Sequence, residues 1–359
     1  MTESSSELPE LSLEHLHRLT DDKGLFQHAR HTTPYRKEGY CTDDNARAVI
    51  ATAWYYARNP EPEALELFKI YLAFTLSSQN GDGSVKNLMS PERTWLKDEP
   101  GNDALGRVLW ALGTVLAEPP SPVYLTTAKD CFDNLIRCAG KQYQKGKAYS
   151  ILGMSEYLKR FPETGAIKKQ METAADSLVA EYEENKSADW QWFDGVLTYD
   201  NAILPYALFV AGAELGEKFL EVAVKTCEFL LANIYNGEYF SFIGCLGWYK
   251  RGGTKAKFDQ QPIEAASTVM MLRAAYDATG NDRFLTLQRK AFDWFLGEND
   301  LHLRLYDSES KGCHDGLMSD DVNPNEGAES TLSFLLSLLT MVETAKKQAQ
   351  KKQAAKPAF

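Results

Sequence analysis

Acidic and amide side chains recur where apolar helices are predicted to begin. Residues 39–47, Gly-Tyr-Cys-Thr-Asp-Asp-Asn-Ala-Arg, place two aspartates, an asparagine and an arginine where an alanine-rich apolar run over 46–56 begins. Asp44 and Arg47 lie three residues apart and therefore share a helix face. Paired carboxyl groups can cleave a glycosidic bond, because one donates a proton to the leaving oxygen while the other activates water or attacks directly.

Five carboxyl groups at such helix starts are candidates for this acid and base: Asp44, Asp103, Asp200, Glu264 and Glu326. Aromatic side chains are interleaved with the acids. Such rings pack against the C–H faces of sugars, while neighbouring polar groups bind the hydroxyls. We expect neither a metal site nor a cofactor. The side chains expected to contact the substrate are Tyr40, Asp43, Asn45, Arg47, Trp192, Tyr199, Trp248, Arg251, Gln260, Gln261, His314 and Glu329.

Each of these acids also has a purely structural interpretation. An aspartate at a helix start is an ordinary N-cap, so Asp103 or Asp200 could serve only in that way. Asp44 and Arg47 could form a buried structural pair. Because the helix dipole keeps an acid at the helix start ionised, we expect the general acid slightly deeper in its helix.

Glu264 and Glu329 fit that deeper position. Glu264 stands in the sequence Pro-Ile-Glu-Ala-Ala, where the proline suits a first helical turn. Exposure to solvent is hard to reconcile with the alanines that follow it, so the sequence favours a functional role for Glu264.

Apolar helices rich in small residues alternate along the chain with amphipathic ones. Helices that are apolar on all sides belong in the interior, and amphipathic helices belong outside them. A repeated helical hairpin of this kind predicts an all-α fold, an (α/α)6 toroid in which six outer helices surround six inner ones. The apolar helices begin near 46, 104, 147, 199, 261 and 325, and their amphipathic partners lie at 11–19, 63–78, 123–138, 166–182, 217–234 and 283–296.

The predicted connections divide into two kinds. Those from inner to outer helices are short and contain proline or glycine, whereas most of those from outer to inner helices are long and rich in Gly, Trp, Tyr, Asp and Arg. All the long loops must then lie on the face where the inner helices begin. We predict a flexible tail over 1–10, a single toroid domain over 11–345, and a polar, basic, disordered tail over 346–359.

Composition excludes several classes of function. With 359 residues and 44% hydrophobic content, the chain can form a large globular core. The formal net charge of -11 argues against a nucleic-acid or anionic-membrane surface. The six cysteines are scattered, and the first residues lack the pattern of a signal peptide. We therefore expect reduced thiols, no membrane span and a cytoplasmic protein.

The helical pattern resembles the six-hairpin glycosidase superfamily over almost the whole chain. Residues 39–47, 247–253 and 258–265 resemble segments of a narrower group of (α/α)6 proteins, found attached to glycosyltransferases or in mannoside-processing settings. The resemblance implies a glycoside hydrolase that acts on short oligosaccharides, with mannose-containing glycans as the first choice. By fold-level analogy, we expect an inverting mechanism. The resemblance also implies a partner glycosyltransferase or phosphorylase. It assigns no catalytic pair.

Three other functions fit the same fold. A sugar epimerase or isomerase would use histidines, with His314 joined by His28 and His31 if the N-terminal segment folds over the mouth. A zinc-dependent cyclase of the lanthipeptide type would use Cys313 and His314, with Cys245 as a third ligand. A non-catalytic module would bind a glycan or a partner enzyme without turnover.

Overall fold

The computed structural model describes residues 7–97 and 103–354. Twelve α-helices lie in these two ranges, joined by loops that contain six two-residue strands. The helices are α1 Glu14–Arg18, α2 Thr42–Tyr56, α3 Pro62–Ser77, α4 Ala104–Ala117, α5 Leu125–Leu135, α6 Gln144–Arg160, α7 Gly165–Asn185, α8 Ile203–Leu215, α9 Glu217–Ile234, α10 Pro262–Thr279, α11 Arg283–Asp293 and α12 Ala328–Ala354.

The even-numbered helices form a closed ring. Each contacts the next in order, and α12 contacts α2. The odd-numbered helices lie outside, where each of α3 to α11 packs on the inner helix that precedes it and α1 packs on α12. This arrangement confirms the predicted (α/α)6 toroid. Every residue of α4 from 104 to 116 is buried, as an inner helix requires. Within the described ranges, no helix combines the length and the apolar character needed to cross a bilayer.

The long loops lie on the face where the inner helices begin, as predicted. Three two-stranded antiparallel sheets join them. The first is a hairpin of β1 Ala29–Arg30 and β2 Thr33–Pro34. In the second, β3 Tyr40–Cys41 pairs with β4 Leu88–Met89, and in the third, β5 Val196–Leu197 pairs with β6 Tyr249–Lys250. The last two sheets each connect loops that are distant in sequence, so they fix the rim of the mouth.

Glycines bring α4 and α6 into direct backbone contact. Gly106 faces Gly146, and Gly113 faces Gly153. The second pair lies two helical turns further along the two helices than the first. A Cβ atom at residue 106 would lie 2.3 Å from the carbonyl oxygen of residue 146. At positions 106, 113 and 153 an added side chain would collide with backbone atoms of the other helix, so it would push the two helices apart. The contact holds the N-terminal ends of α4 and α6, which carry site residues, close together.

We expect Gly113→Ala to destabilise the protein by about 3 kcal/mol, despite the better helix propensity of alanine. Its Cβ would lie 2.2 Å from the Gly153 carbonyl oxygen, and that oxygen belongs to helix backbone that cannot rotate away. Urea unfolding followed by circular dichroism measures the change. Gly165→Ala at the start of α7 is the matched control, since its added Cβ would meet no atom within 4 Å. Equal stability of the two variants would contradict this account of the helix contact.

The structure corrects the prediction in two places. The first helix covers 14–18 rather than 11–19. The tail that was predicted to be disordered from 346 instead continues α12 as far as Ala354. Its lysines, glutamines and alanines are strong helix formers, so the packed helix propagates into them, and the Lys351 ammonium donates to the Tyr276 hydroxyl at 3.0 Å. Residues 1–6, 98–102 and 355–359, which include parts of both predicted tails, lie outside the described residues.

Candidate active site

Five carboxyl groups meet where the inner helices begin. Asp43 and Asp44 lie in the first turn of α2, Asp103 directly precedes α4, Asp200 lies just before α8, and Glu264 lies in the first turn of α10. Four of them are at most 8% exposed, and the Asp43 side chain is 19% exposed. Four of the five predicted acid and base candidates are thus brought together, and Glu326 lies apart from them.

Arg107 connects carboxyl groups from two helices. This side chain of α4 is 4% exposed, and its guanidinium lies 4.0 Å from the centre of the Tyr149 ring. Its Nε lies 3.5 Å from Asp43 Oδ1, and its Nη2 lies 3.6 Å from Asp200 Oδ2. Burial raises the pKa of both Asp43 and Asp200, and the positive charge of Arg107 opposes that rise. Arg107 therefore favours ionised carboxylates at the centre of the site.

Asp200 has one oxygen engaged and one free. Its Oδ2 accepts the Tyr149 hydroxyl hydrogen and faces Arg107, whereas its buried Oδ1 has no hydrogen-bond partner among the described residues. The backbone at Asp200 has a φ of 47°, a left-handed conformation that aspartate and asparagine tolerate better than most residues. Burial raises the pKa of Asp200, and Arg107 opposes this. An unpaired, buried carboxylate oxygen is suited to activating a water or binding a sugar.

Glu264 holds the turn that carries Asp200. One of its oxygens accepts the Asp200 backbone N–H, and the other accepts the backbone N–H and the side-chain amide of Asn201, at 3.3 and 3.1 Å. Burial raises the pKa of Glu264 to about 8, while the donors from Asn201 lower it. Since both oxygens are engaged by backbone and amide donors, the geometry fits a positioning role better than proton transfer.

Asp44 lies at the junction of α2 and α12. Its Oδ1 accepts from Arg47 Nη1 at 2.5 Å, and Arg47 Nη2 donates to Glu329 of α12 at 2.7 Å. Burial raises the pKa of Asp44 to about 7, although the nearby guanidinium lowers it. A carboxyl group with a pKa near neutrality is suited to general-acid catalysis.

Asp103, Tyr199 and Lys145 form the edge of the site on the α4 and α6 side. The Tyr199 hydroxyl donates to Asp103 Oδ2, and Lys145 Nζ lies 4.0 Å from the centre of the Tyr199 ring. Burial lowers the pKa of Lys145, while the carboxylates of Asp200, Glu264 and Asp103 raise it. The ammonium therefore offsets part of the negative charge in the cluster.

Carboxyl groups outnumber basic groups around this mouth. In the described ranges, six acids stand against three bases within one connected set of contacts. The ionised members of such a set stabilise a positively charged transition state, for instance the oxocarbenium-like state of glycoside cleavage. The acids are Asp43, Asp44, Asp103, Asp200, Glu264 and Glu329, and the bases are Arg47, Arg107 and Lys145.

Four predicted substrate contacts are fully buried and engaged with the protein. Tyr40, Asn45, Trp192 and Gln260 are no more than 1% exposed. The Tyr40 hydroxyl donates to the Asp21 carboxylate. The side-chain amide of Asn45 forms hydrogen bonds with the backbone of Leu25, before β1, and with the carbonyl oxygen of Cys41, after β2. Trp192 packs against two phenylalanine rings. The Gln260 side-chain amide forms hydrogen bonds with two backbone groups and with the side chains of Trp294 and Asp300. These four residues stabilise the rim, and the structure does not place them as substrate contacts.

Three further predicted contacts lie on the loop before α10. Trp248 is partly buried and has a φ of 57°, and Gln261 is the residue that directly precedes α10. Arg251 is exposed, and it donates to the Asn185 carbonyl oxygen at 3.2 Å and to the Ser187 hydroxyl. Arg251 thus fastens this loop to the end of α7 rather than pointing a free guanidinium into the mouth.

Glu326 belongs to a separate cluster beneath α1. It is 1% exposed and accepts from the Ser310 hydroxyl at 2.6 Å, and burial raises its pKa to about 7. Ligand atoms of Asp307, His314 and Glu326 lie within 4.8 Å of one another. This set could hold a metal ion, since one imidazole and two carboxylates are common ligands. The cluster does not contain Cys313, whose thiol faces the His314 carbonyl oxygen.

The N-terminal hairpin docks at the start of α12. The His31 backbone N–H donates to Asn325 Oδ1 at 3.0 Å, and the Glu326 N–H donates to the His31 carbonyl oxygen at 3.0 Å. His31 and His28 consequently lie near His314 and Asp315, respectively, close enough to influence their pKa values. A histidine-based site requires the N-terminal segment to bring His28 and His31 toward His314. The backbone contacts of the hairpin meet this requirement.

Solved structures of sugar-active enzymes share this fold, although no protein-family model and no curated protein matches the chain. A sugar epimerase from a ruminal bacterium matches with a TM-score of 0.73 and 12% identity, over 94% of this chain and 97% of its own. A GH76 α-mannanase from Bacteroides thetaiotaomicron matches with a TM-score of 0.65 and 11% identity, over 94% and 95%.

A third structure is an inactive variant of an α-1,6-mannanase from Salegentibacter sp., in complex with α-1,6-mannotriose. It matches with a TM-score of 0.60 and 11% identity, over 91% of this chain and 95% of its own, and it has asparagine in place of two consecutive aspartates. These likenesses confirm the predicted fold: the chain has the (α/α)6 toroid that these three structures share.

Sequence reasoning missed three residues of the acidic cluster: Arg107, Lys145 and Tyr149. A signal for Arg107 was present, because it is the one charged residue in the apolar run 104–112. A lone charge at a buried helical position requires a partner, and the same argument had favoured Glu264. Lys145 lay before the predicted start of its helix, and Tyr149 has no sequence feature that separates it from a core tyrosine.

Proposed function

We propose that this protein is a glycoside hydrolase that acts on short oligosaccharides, with mannose-containing glycans as the first substrates to test. The observation that carries the proposal is the buried surplus of carboxyl groups around Arg107 and Arg47. Glycoside cleavage needs one protonated and one ionised carboxyl group near a positively charged transition state. A site with both kinds of acid and few free cations meets that need.

Within this proposal, Asp44 is the general acid and Asp200 is the base or nucleophile. The pKa of Asp44, raised by burial to about 7, leaves it protonated in part near neutral pH. Burial raises the pKa of Asp200, but Arg107 and the Tyr149 hydroxyl hydrogen at its Oδ2 favour the ionised form, and its Oδ1 accepts no hydrogen bond from the described residues. Asp43, Asp103 and Glu329 then remain to bind sugar hydroxyls. Glu264 positions Asp200.

Two features of the similar structures support a hydrolase. Both mannanases share the toroid, and the inactive variant lacks two consecutive aspartates. Asp43 and Asp44 are consecutive aspartates at a helix start in this chain. If Asp43 rather than Asp200 is the partner of Asp44, the Asp43→Asn variant will lose more activity than Asp200→Asn.

A sugar epimerase is the second candidate function. The docking of the N-terminal hairpin beside α12 brings His28 and His31 to the side of the mouth that holds His314. Histidines can serve as acid and base in such a reaction. The matching epimerase structure gives this alternative further support.

A screen of the purified protein against mannose-, glucose- and uronate-containing oligosaccharides tests these functions. Chromatography resolves the products, and NMR of the first anomer formed distinguishes inversion from retention. Release of a sugar by the wild type establishes hydrolysis. Conversion to an isomer of the same mass assigns the protein to the epimerases, and binding without any product assigns it to the non-catalytic modules.

The kcat/KM for hydrolysis should fall at both low and high pH. As pH rises through about 7, Asp44 loses the proton that a general acid must donate, and kcat/KM should then fall about tenfold per pH unit. At low pH, protonation of Asp200 removes the base. The measurement is kcat/KM between about pH 4 and pH 9, and the residual activity of Asp44→Asn should lack the alkaline decline. A wild-type profile that stays flat above pH 8 would exclude Asp44 as the acid.

A further inference from the structure

A side cleft leads away from the acidic cluster between the start of α6 and the α7–α8 loop. Its volume is about 460 Å³, within the range of roughly 300–1,000 Å³ found for small-molecule sites. Asp103, Tyr199 and Lys145 belong both to its inner end and to the edge of the candidate active site. The cleft is therefore continuous with the acids, and a ligand bound at the acids could extend into it.

An exposed aromatic ring stands at the cleft. Tyr143 directly precedes α6, lines the cleft and is 70% exposed. It lies six residues before Tyr149, which contacts Asp200, so the two positions are about 9 Å apart along the helix. Tyr199 also lines the cleft and is 37% exposed, with the Lys145 ammonium over its ring. The cleft thus offers the exposed ring of Tyr143, on which the C–H face of a sugar can pack.

The polar groups of the cleft suit a neutral ligand. Lys147 is paired with Glu181 at 2.9 Å, and Lys145 donates to the Thr198 hydroxyl at 2.8 Å with the Asp194 carboxylate nearby. Basic and acidic groups are interspersed, and neither charge forms a patch that would select a phosphate or a uronate. Mixed donors and acceptors of this kind bind hydroxyl groups.

We propose that the side cleft is a binding subsite for the sugar units of the substrate that extend beyond the cleaved bond, with Tyr143 as a stacking platform. The ligand is a neutral oligosaccharide of several units. The proposal rests on the proposed function for the identity of the substrate, and it adds that affinity grows with chain length along one defined side of the mouth.

The test compares wild type, Tyr143→Phe and Tyr143→Ala on a mannooligosaccharide series of increasing length. Isothermal titration calorimetry measures binding with the Asp200→Asn background, and kcat/KM is measured with the active enzymes. We expect Tyr143→Ala to weaken binding and kcat/KM by about tenfold on the longer members and not on the disaccharide, and Tyr143→Phe to retain both. Val123→Ala, 73% exposed near the start of α5, is the control for loss of an exposed apolar side chain.

The outcomes separate this subsite from the reaction. An equal loss on every chain length, or no loss on any, would overturn the subsite. If no member of the series is cleaved but calorimetry shows length-dependent binding that Tyr143→Ala abolishes, the result supports the subsite and overturns the proposed hydrolase activity. If the series is cleaved with no dependence on length, the result supports the hydrolase activity and overturns the subsite.

Discussion

Replacement of Asp200 by asparagine is expected to lower kcat/KM on any cleaved glycan by about 10²–10⁴-fold, the contribution typical of a general acid or base. Asparagine has the same shape and tolerates the left-handed backbone at this position, whose φ is 47°. It can still accept the Tyr149 hydroxyl hydrogen, so the loss reports on the missing charge rather than on a broken turn. Steady-state kinetics with the best substrate of the screen gives the value.

Two controls accompany Asp200→Asn: its own stability to urea, and the substitution of an aspartate far from the site. The unfolding midpoint of the variant in urea should stay close to that of the wild type. Asp282→Asn changes an exposed aspartate at the α10–α11 connection, on the opposite face, and should leave kcat/KM unaltered. Full activity of Asp200→Asn would remove Asp200 from the mechanism and leave Asp43 as the partner of Asp44.

Replacement of Glu264 by alanine should destabilise the protein by about 3–5 kcal/mol. Three donors, the N–H groups of Asp200 and Asn201 and the amide of Asn201, would then be buried without an acceptor. Glu264→Gln should cost about 2 kcal/mol, because one amide oxygen remains to accept while its NH₂ group faces a donor. Urea unfolding by tryptophan fluorescence measures both variants.

Glu163→Ala is the control for Glu264, since Glu163 is exposed in the α6–α7 connection and should change stability by less than about 0.5 kcal/mol. Activity then distinguishes the two roles of Glu264. A Glu264→Gln variant with wild-type stability and no turnover would make Glu264 a catalytic acid. Lower stability, with partial activity recovered under stabilising conditions, is the result expected of a positioning residue.

The architecture could be predicted from the sequence because it depends on local patterns. The apolar run after residue 45 and the amphipathic run after residue 62 each specify a helix and its buried face, and six repeats leave few ways to close a ring. The placement of acids follows from the same repeat, since every inner helix must begin on one face. The burial of Glu264 was predicted from its neighbours alone.

The details of the site depend on contacts between distant segments, which the sequence does not specify. Tyr40 and Gln260 have the residue types of sugar contacts, but loop packing turns both into the protein. Arg107 of α4 lies beside Asp43 and Asp200, which belong to segments distant from it in the sequence. Glu326 begins its helix as the others do, but the docked N-terminal segment and Ser310 enclose it in a cluster of its own.

The junction of α2 with α12 has a consequence for biosynthesis. Arg47 and Glu329, which pair across it, are separated by 282 residues, so a ribosome that adds about 5–20 residues per second makes them roughly 15–60 seconds apart. Throughout that interval the nascent chain is an open arc, and the flank of α2 that α12 will cover remains uncovered. The last helix therefore closes the ring, and the apolar flank of α2 is covered only after α12 has been synthesised.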